Sequence, residues 1–215
     1  MTGLKKLLWW KAASGGGGGL PAEYQRVGYL QSEGDRAVID TGVSGDNDNL
    51  AFDFCFNLNQ FVSYRGFFTN YVSEAANCWR MSEASSATSI LYCMNTKTGS
   101  SAYITATYIG KKTTVQMDKT TVTVSTDDNT VSGTIPTAEG TVNNATIYIN
   151  SSRRYSQTRE DVIKWYYFRI SDNGVLIRNY IPVVRKADNK AGFYDIVNRT
   201  FNPSTGTEEF TAGND

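Results

Sequence analysis

Along Leu50–Leu58, Phe52, Phe54, Phe56 and Leu58 alternate with Ala51, Asp53, Cys55 and Asn57. One side of that alternation is apolar and the other mixed, the period-two signature of a strand lying on a core. Shorter runs of the same kind predict strands at 24–30 and 36–43, separated by the turn-like 32–35, and at 61–68, 78–81, 89–94 and 102–108. Residues 113–117 and 122–124 flank Asp118-Lys119 as a hairpin, with Asp127-Asp128-Asn129 as the following turn. A strand is expected at 145–149. Runs at 162–171 and 175–182 are joined by Asp172-Asn173-Gly174. Asn-Gly between apolar runs marks a tight hairpin, because the turn needs positive φ there. Short strands at 193–197 and 209–211 complete the set. Many short strands and no long helical pattern predict an all-β chain folded as a two-sheet antiparallel sandwich.

Helical periodicity is confined to residues 4–13, where Leu4, Leu7 and Leu8 fall on one side of about two turns. A free helix that short is marginal in water and orders against a partner. Glycines 15–19 follow. Glycine loses the most backbone freedom on ordering, so five in a row read as a tether. The organisation expected is an anchor peptide at 1–14, a linker at 15–19 and a β domain at 20–215. Leu4, Leu7, Leu8, Trp9 and Trp10 are the candidate partner-binding residues, since tryptophan is enriched at binding hot spots. The plainer alternative is a frayed leader, the usual state of a terminus.

Composition narrows the chemistry. Formal net charge is zero and there is no histidine. Without long basic runs a general nucleic-acid binder is not expected. Without histidine a Ser-His-Asp triad is excluded, and the commonest transition-metal ligand is missing. Cys55, Cys78 and Cys93 are too few and too scattered for a zinc ribbon, and read as small buried hydrophobes. Nowhere do about 18 apolar residues run together, so no spanning helix is predicted. The apolar stretch Leu7-Leu8-Trp9-Trp10 stops at Lys11, short of the ~7–15 residues of a signal peptide. Synthesis and retention in a cytoplasm is the expectation.

Two blocks carry a family resemblance. LPAEYQRVGYLQSEGDRAVIDTGV, at 20–43, resembles the opening of laminin-G-like, concanavalin A-like jelly-roll domains. KWYYFRISDNGVLIRNYIPVVRKADNKAGFYDIVNRTFNPSTGTEEF, at 164–210, resembles their ending. Such domains occur in bacteriophage virion proteins and gut bacterial surface proteins. Departures are Gly28, the stretch Asp35-Arg36-Ala37-Val38, and Asn202-Pro203-Ser204. Within these blocks Tyr24 and Tyr29 read as wedges in the sandwich, Asp40-Thr41-Gly42 as a strand end, and Pro182 as lying on an edge strand or at its terminus. Arg185, Lys186 and Asp188 read as a charged turn, with a ligand site as the alternative.

The resemblance implies a jelly-roll fold and, as a usual role, sugar binding. Candidate glycan-stacking residues are Tyr64, Tyr71, Trp79 and Tyr103, against the alternative that most are core. The sandwich glucanases carry three carboxylates on one strand face, and no such triad is found here. Glu33-Gly34-Asp35 lacks the third acid, and Glu160-Asp161 would point to opposite faces. No cofactor is expected. The oxygen-rich Gly45-Asp46-Asn47-Asp48-Asn49 is weighed for calcium, although it lacks the ligand spacing of a calcium loop. The expected function is a non-enzymatic virion structural protein, a head or tail fibre or a capsid decoration. It would sit on the virion surface, bound to other virion proteins by its N-terminal peptide, and form a homo-oligomer, with a trimer as the guess. Its jelly roll would adhere to host or mucosal glycan. The alternative is an adhesion module of a bacterial surface protein.

Overall fold

In the computed structural model the Leu50–Leu58 alternation becomes a strand whose Phe52, Phe54, Phe56 and Leu58 are buried in the core. The structure describes residues 19–34, 36–47, 49–70, 78–84, 90–94, 101–135, 144–151 and 161–214. The anchor peptide and most of the glycine linker lie outside them. In chain order the first strands are β1 (Tyr24–Arg26), β2 (Tyr29–Glu33), β3 (Ile39–Ser44), β4 (Leu50–Leu58), β5 (Gly66–Thr69) and β6 (Arg80–Glu83). Then come β7 (Ile90–Met94), β8 (Ser101–Thr105), β9 (Thr113–Met117), β10 (Thr121–Ser125), β11 (Thr130–Thr134) and β12 (Thr146–Ile149). The chain closes with β13 (Val162–Asp172), β14 (Val175–Arg185), β15 (Lys190–Asp195), β16 (Thr200–Pro203) and β17 (Thr211–Gly213). No helix occurs among the described residues.

These strands make two antiparallel sheets. The larger runs β11-β10-β9-β4-β13-β14-β15-β16, with β1 beside β14 and β2 between β13 and β17. The smaller runs β3-β12-β5-β6-β7-β8. The architecture is the expected all-β jelly-roll sandwich. Its core is an aromatic stack: Phe52 lies 4.3 Å from Phe68, Phe56 4.4 Å from Phe67, and Phe54 5.1 Å from Phe168, centroid to centroid. Fully burying each such ring stabilises the fold by roughly 1.5–3 kcal/mol.

The opening and closing blocks are woven together. β2 pairs with β13 and β17, and β1 with β14. Thr205 donates its N–H to Val38 (2.7 Å), and Arg36 pairs with Glu208 at 2.6 Å. Gly206 sits directly on Arg36, where an added Cβ would meet the carbonyl oxygen at 1.8 Å. Asn173 (φ 48°) and Gly174 (φ 77°) make the β13–β14 turn, both with the positive φ the sequence called for.

Several expectations need correction. Pro182 neither ends β14 nor lies on an edge strand; it lies inside the strand, opposite Phe193 of β15. On the other side it falls between the last β13 pair, at Tyr180, and the first β1 pair, at Val183. The missing N–H therefore interrupts no ladder on that side. Gly42 (φ 64°) is a kink within β3, not its end. Tyr24 and Tyr29 are not wedges between the sheets. Tyr24 stacks with Tyr194 and Phe201 in a satellite cluster with Leu20, Ile181 and Val183. Tyr29 lies on the outer face of the larger sheet, against Tyr166. β11 and β16 were not anticipated: β11 is a Thr/Ser-rich strand with no buried position, and β16 is only partly buried.

Candidate functional site

Three of the four proposed glycan residues lie among the described residues. Trp79 is 0 % exposed and packs edge-on to Phe52 at 5.3 Å, so it is a core residue and is withdrawn as a stacking platform. Tyr64 is half-buried, with φ 61°, in the connection before β5. Tyr103 is 64 % exposed on β8. Tyr71, like Leu4, Leu7, Leu8, Trp9 and Trp10, lies outside the described residues.

A better-formed surface lies on the outer face of the larger sheet. The β13–β4 ladder shifts register between Trp165 and Tyr167. This bulge leaves Tyr166 and Tyr167 half-buried on the outside while Trp165 and Phe168 on either side are fully buried. Tyr166 meets Tyr29 edge to face at 6.1 Å. Lys112 lies 3.9 Å over the Tyr166 ring, Lys164 4.1 Å over Tyr29, and Arg169 4.6 Å over Tyr167. Gln31 and Asn57 flank Lys164 in register, and Gln116 sits opposite Asp53.

Within this face Tyr167 donates its hydroxyl to Asp53 (3.0 Å), and Arg169 donates to Asp53 (3.3 Å) and Asn179 (3.3 Å). Burial pushes the Asp53 carboxyl above its ordinary range, opposed by Tyr167 and Arg169. Burial and the neighbouring Asp53 together push the Tyr167 phenol up, so it stays a neutral donor. With Lys112 and Lys164 swung off the ring faces they cap, tyrosine rings beside amides offer the two contacts a sugar uses, ring C–H against an aromatic face and hydroxyls against amides. Sequence reading missed the site because alternation cannot foretell a bulge. The available signal was Trp165-Tyr166-Tyr167-Phe168, four consecutive aromatics of which a strand with one buried face takes only two inward.

The charged turn is engaged by the protein itself: Arg185 donates to both oxygens of Asp188, at 3.0 and 2.6 Å, and Lys186 donates to the Ala22 carbonyl. In the loop weighed for calcium, Asn47 accepts the Asn49 N–H at 2.9 Å, an ordinary side-chain turn. Asp48 lies outside the described residues. Among the described residues no group of three or more acidic, cysteine or histidine side chains gathers. Cys55 and Cys78 are buried and in no disulfide, as expected of small hydrophobes. The Cys93 side chain lies outside the description.

Charge is also buried between the sheets. Arg65 pairs with Asp161 at 3.2 Å and donates to Asn150, which in turn donates to the Ala37 carbonyl at 2.6 Å. Glu83 accepts the Tyr108 hydroxyl at 2.7 Å and the Val62 N–H at 2.9 Å. Burial raises its pKa to about 7. Arg65, Asn150, Asp161, Glu83 and Tyr108 are all fully buried, so the cluster staples strands and loops together and offers nothing to a ligand.

No protein-family model matches the sequence, and no curated protein matches it. Solved structures similar to the chain include domains LG4-5 of the mouse laminin alpha1 chain, at 14 % identity and a TM-score of 0.41. That match covers 74 % of this chain and 44 % of the laminin chain. A point mutant of HCR/D matches at 12 % identity and a TM-score of 0.43, over 81 % of this chain and 55 % of the other. The chain thus spans about half the length of these two. Scytalido-glutamic peptidase matches at 10 % identity and a TM-score of 0.32, over 88 % and 99 % of the two chains.

Proposed function

We propose that the chain is a non-enzymatic adhesion protein of a virion, attached by its N-terminal peptide and displaying a sandwich that recognises glycan. The observation that carries the glycan reading is the Tyr29–Tyr166 pair on the outer sheet face, bordered by Gln31 and Asn57. Three acids next to the tyrosine face or in the core support a non-catalytic reading. Asp53 is engaged by Tyr167 and Arg169, while Glu83 and Asp161 are sealed in the interior, away from any substrate. Attachment rests on the sequence: an apolar, basic peptide with two tryptophans precedes a five-glycine tether, which reaches only ~12 Å on average. Several copies, a trimer in the simplest case, would add avidity to weak sugar contacts.

Two measurements test this separately. On a glycan array the full chain binds at least one glycan, and Tyr29→Ala with Tyr166→Ala removes that binding while the melting temperature holds. An array with no binding, or binding unaffected by the double variant, overturns the glycan reading. Deleting residues 1–14 abolishes co-sedimentation with virus particles and leaves the β domain folded; unchanged co-sedimentation overturns the anchoring reading.

A further inference from the structure

Among the described residues the larger sheet leaves β1 and β17 unpaired with each other: β1 pairs with β14, and β17 with β2. Between them opens a groove of about 430 Å³, the size range of small-ligand sites. Val27, Val184 and Phe210 give it an apolar lining, and Gln25, Asn189 and Asn214 add side-chain amides. The Asn214 side chain accepts the Gly28 N–H at 2.9 Å, tying the end of β17 back to the β1–β2 link. None of the lining residues carries a charge. Two ion pairs border it in sequence, Arg185 with Asp188 and Lys190 with Glu209, and in each the two charges meet one another.

The groove borders the tyrosine surface at Gly213. Gly213 lines it and lies under the Tyr29 ring, where an added Cβ would meet the ring at 2.4 Å. We infer that this groove is a second binding site, for a neutral saccharide unit of the glycan that crosses Tyr29 and Tyr166. An apolar lining suits the C–H face of a pyranose, and amides can both donate to and accept from hydroxyls. An ionised ligand would lose water here and meet only charges already paired with one another. The inference rests on the glycan reading above.

The test uses the full chain, with maltotriose, cellotriose and chitotriose as neutral probes and trigalacturonic acid as the charged control. Binding is followed by the backbone amide resonances of Ala212 and Gly213. At least one neutral trisaccharide shifts those resonances. Gln25→Ala weakens it by roughly tenfold, the loss of about one hydrogen bond. Ala212→Trp, which fills the groove, abolishes it. Asn189→Gly, which keeps the positive-φ backbone (φ 56°) without the amide, weakens binding with the melting temperature unchanged. The inference is overturned if no neutral probe shifts Ala212 and Gly213, if trigalacturonic acid binds as tightly, or if Ala212→Trp still binds. Array binding lost in the tyrosine variants but kept in Ala212→Trp would leave the platform reading standing and remove this one alone.

Discussion

Replacing Glu83 with glutamine tests the buried polar cluster. Glu83 is fully buried, with Tyr108 and Val62 donating to its two oxygens and the Arg65–Asp161 pair nearby. Burial is the main reason its pKa rises from 4.5 to about 7; Asp161 adds to the rise, and the two hydrogen bonds and Arg65 oppose it. The folded state therefore keeps a proton that the unfolded chain gives up. Stability from this group is fully present below pH 4.5 and is lost as pH rises to about 7. The rise corresponds to about 3 kcal/mol, or roughly 10 °C in melting temperature for a domain of this size. Glu83→Gln stays neutral, accepts the Val62 N–H, and donates to the Tyr108 oxygen. Thermal melts of both proteins at half-unit steps from pH 4 to 9 give the comparison. The difference between the two curves isolates Glu83 from the other carboxylates, because they are common to both. The variant should match the wild type near pH 4.5 and exceed it above pH 7. Parallel curves across that window would refute the reasoning.

Three further outcomes are expected. Trp79→Ala should cost about 3–5 kcal/mol in urea unfolding, as for other large core aromatics, and leave glycan binding of the folded fraction unchanged. Gly206→Ala should destabilise by at least 1–3 kcal/mol, roughly the cost of overpacking, because its Cβ meets the Arg36 backbone rather than a movable side chain; a melt within 1 °C of wild type would contradict the close approach. Alkylation at pH 8 followed by peptide mapping should leave Cys55 and Cys78 unlabelled in the native protein, since burial raises both thiols, Cys78 to about 11.

The fold was legible where one face of a strand carries most of its burial. β4 and β9 match their predicted bounds, and β13 extends one residue further, because Phe52, Val115 or Ile170 must point inward and their neighbours must not. It was illegible where burial is shallow. β11 and β16 bury little, so they exist through pairing with β10 and β15 rather than through their own apolar pattern. Aromaticity alone also misled the site assignment. Trp79 and Tyr166 are both large and aromatic, and only the register of the sheets separates a core residue from a surface one. The bulge at Tyr166 and the gap between β1 and β17 are properties of strand pairing, and pairing is long-range.

The short strand β1 and the satellite cluster of Leu20 and Tyr24 lie outside the main core, yet they are where the described chain enters the domain. A pull applied through Gly19 thus reaches them before it reaches Phe54 or Trp165. β1 is held along one edge, by three residues paired to Val183, Val184 and Arg185. Under load these would peel away in sequence, lengthening the tether by several residues at about 3.3 Å each, while the aromatic stack stays closed. The entry strand would act as a mechanical fuse, absorbing a transient jerk before the main core is strained.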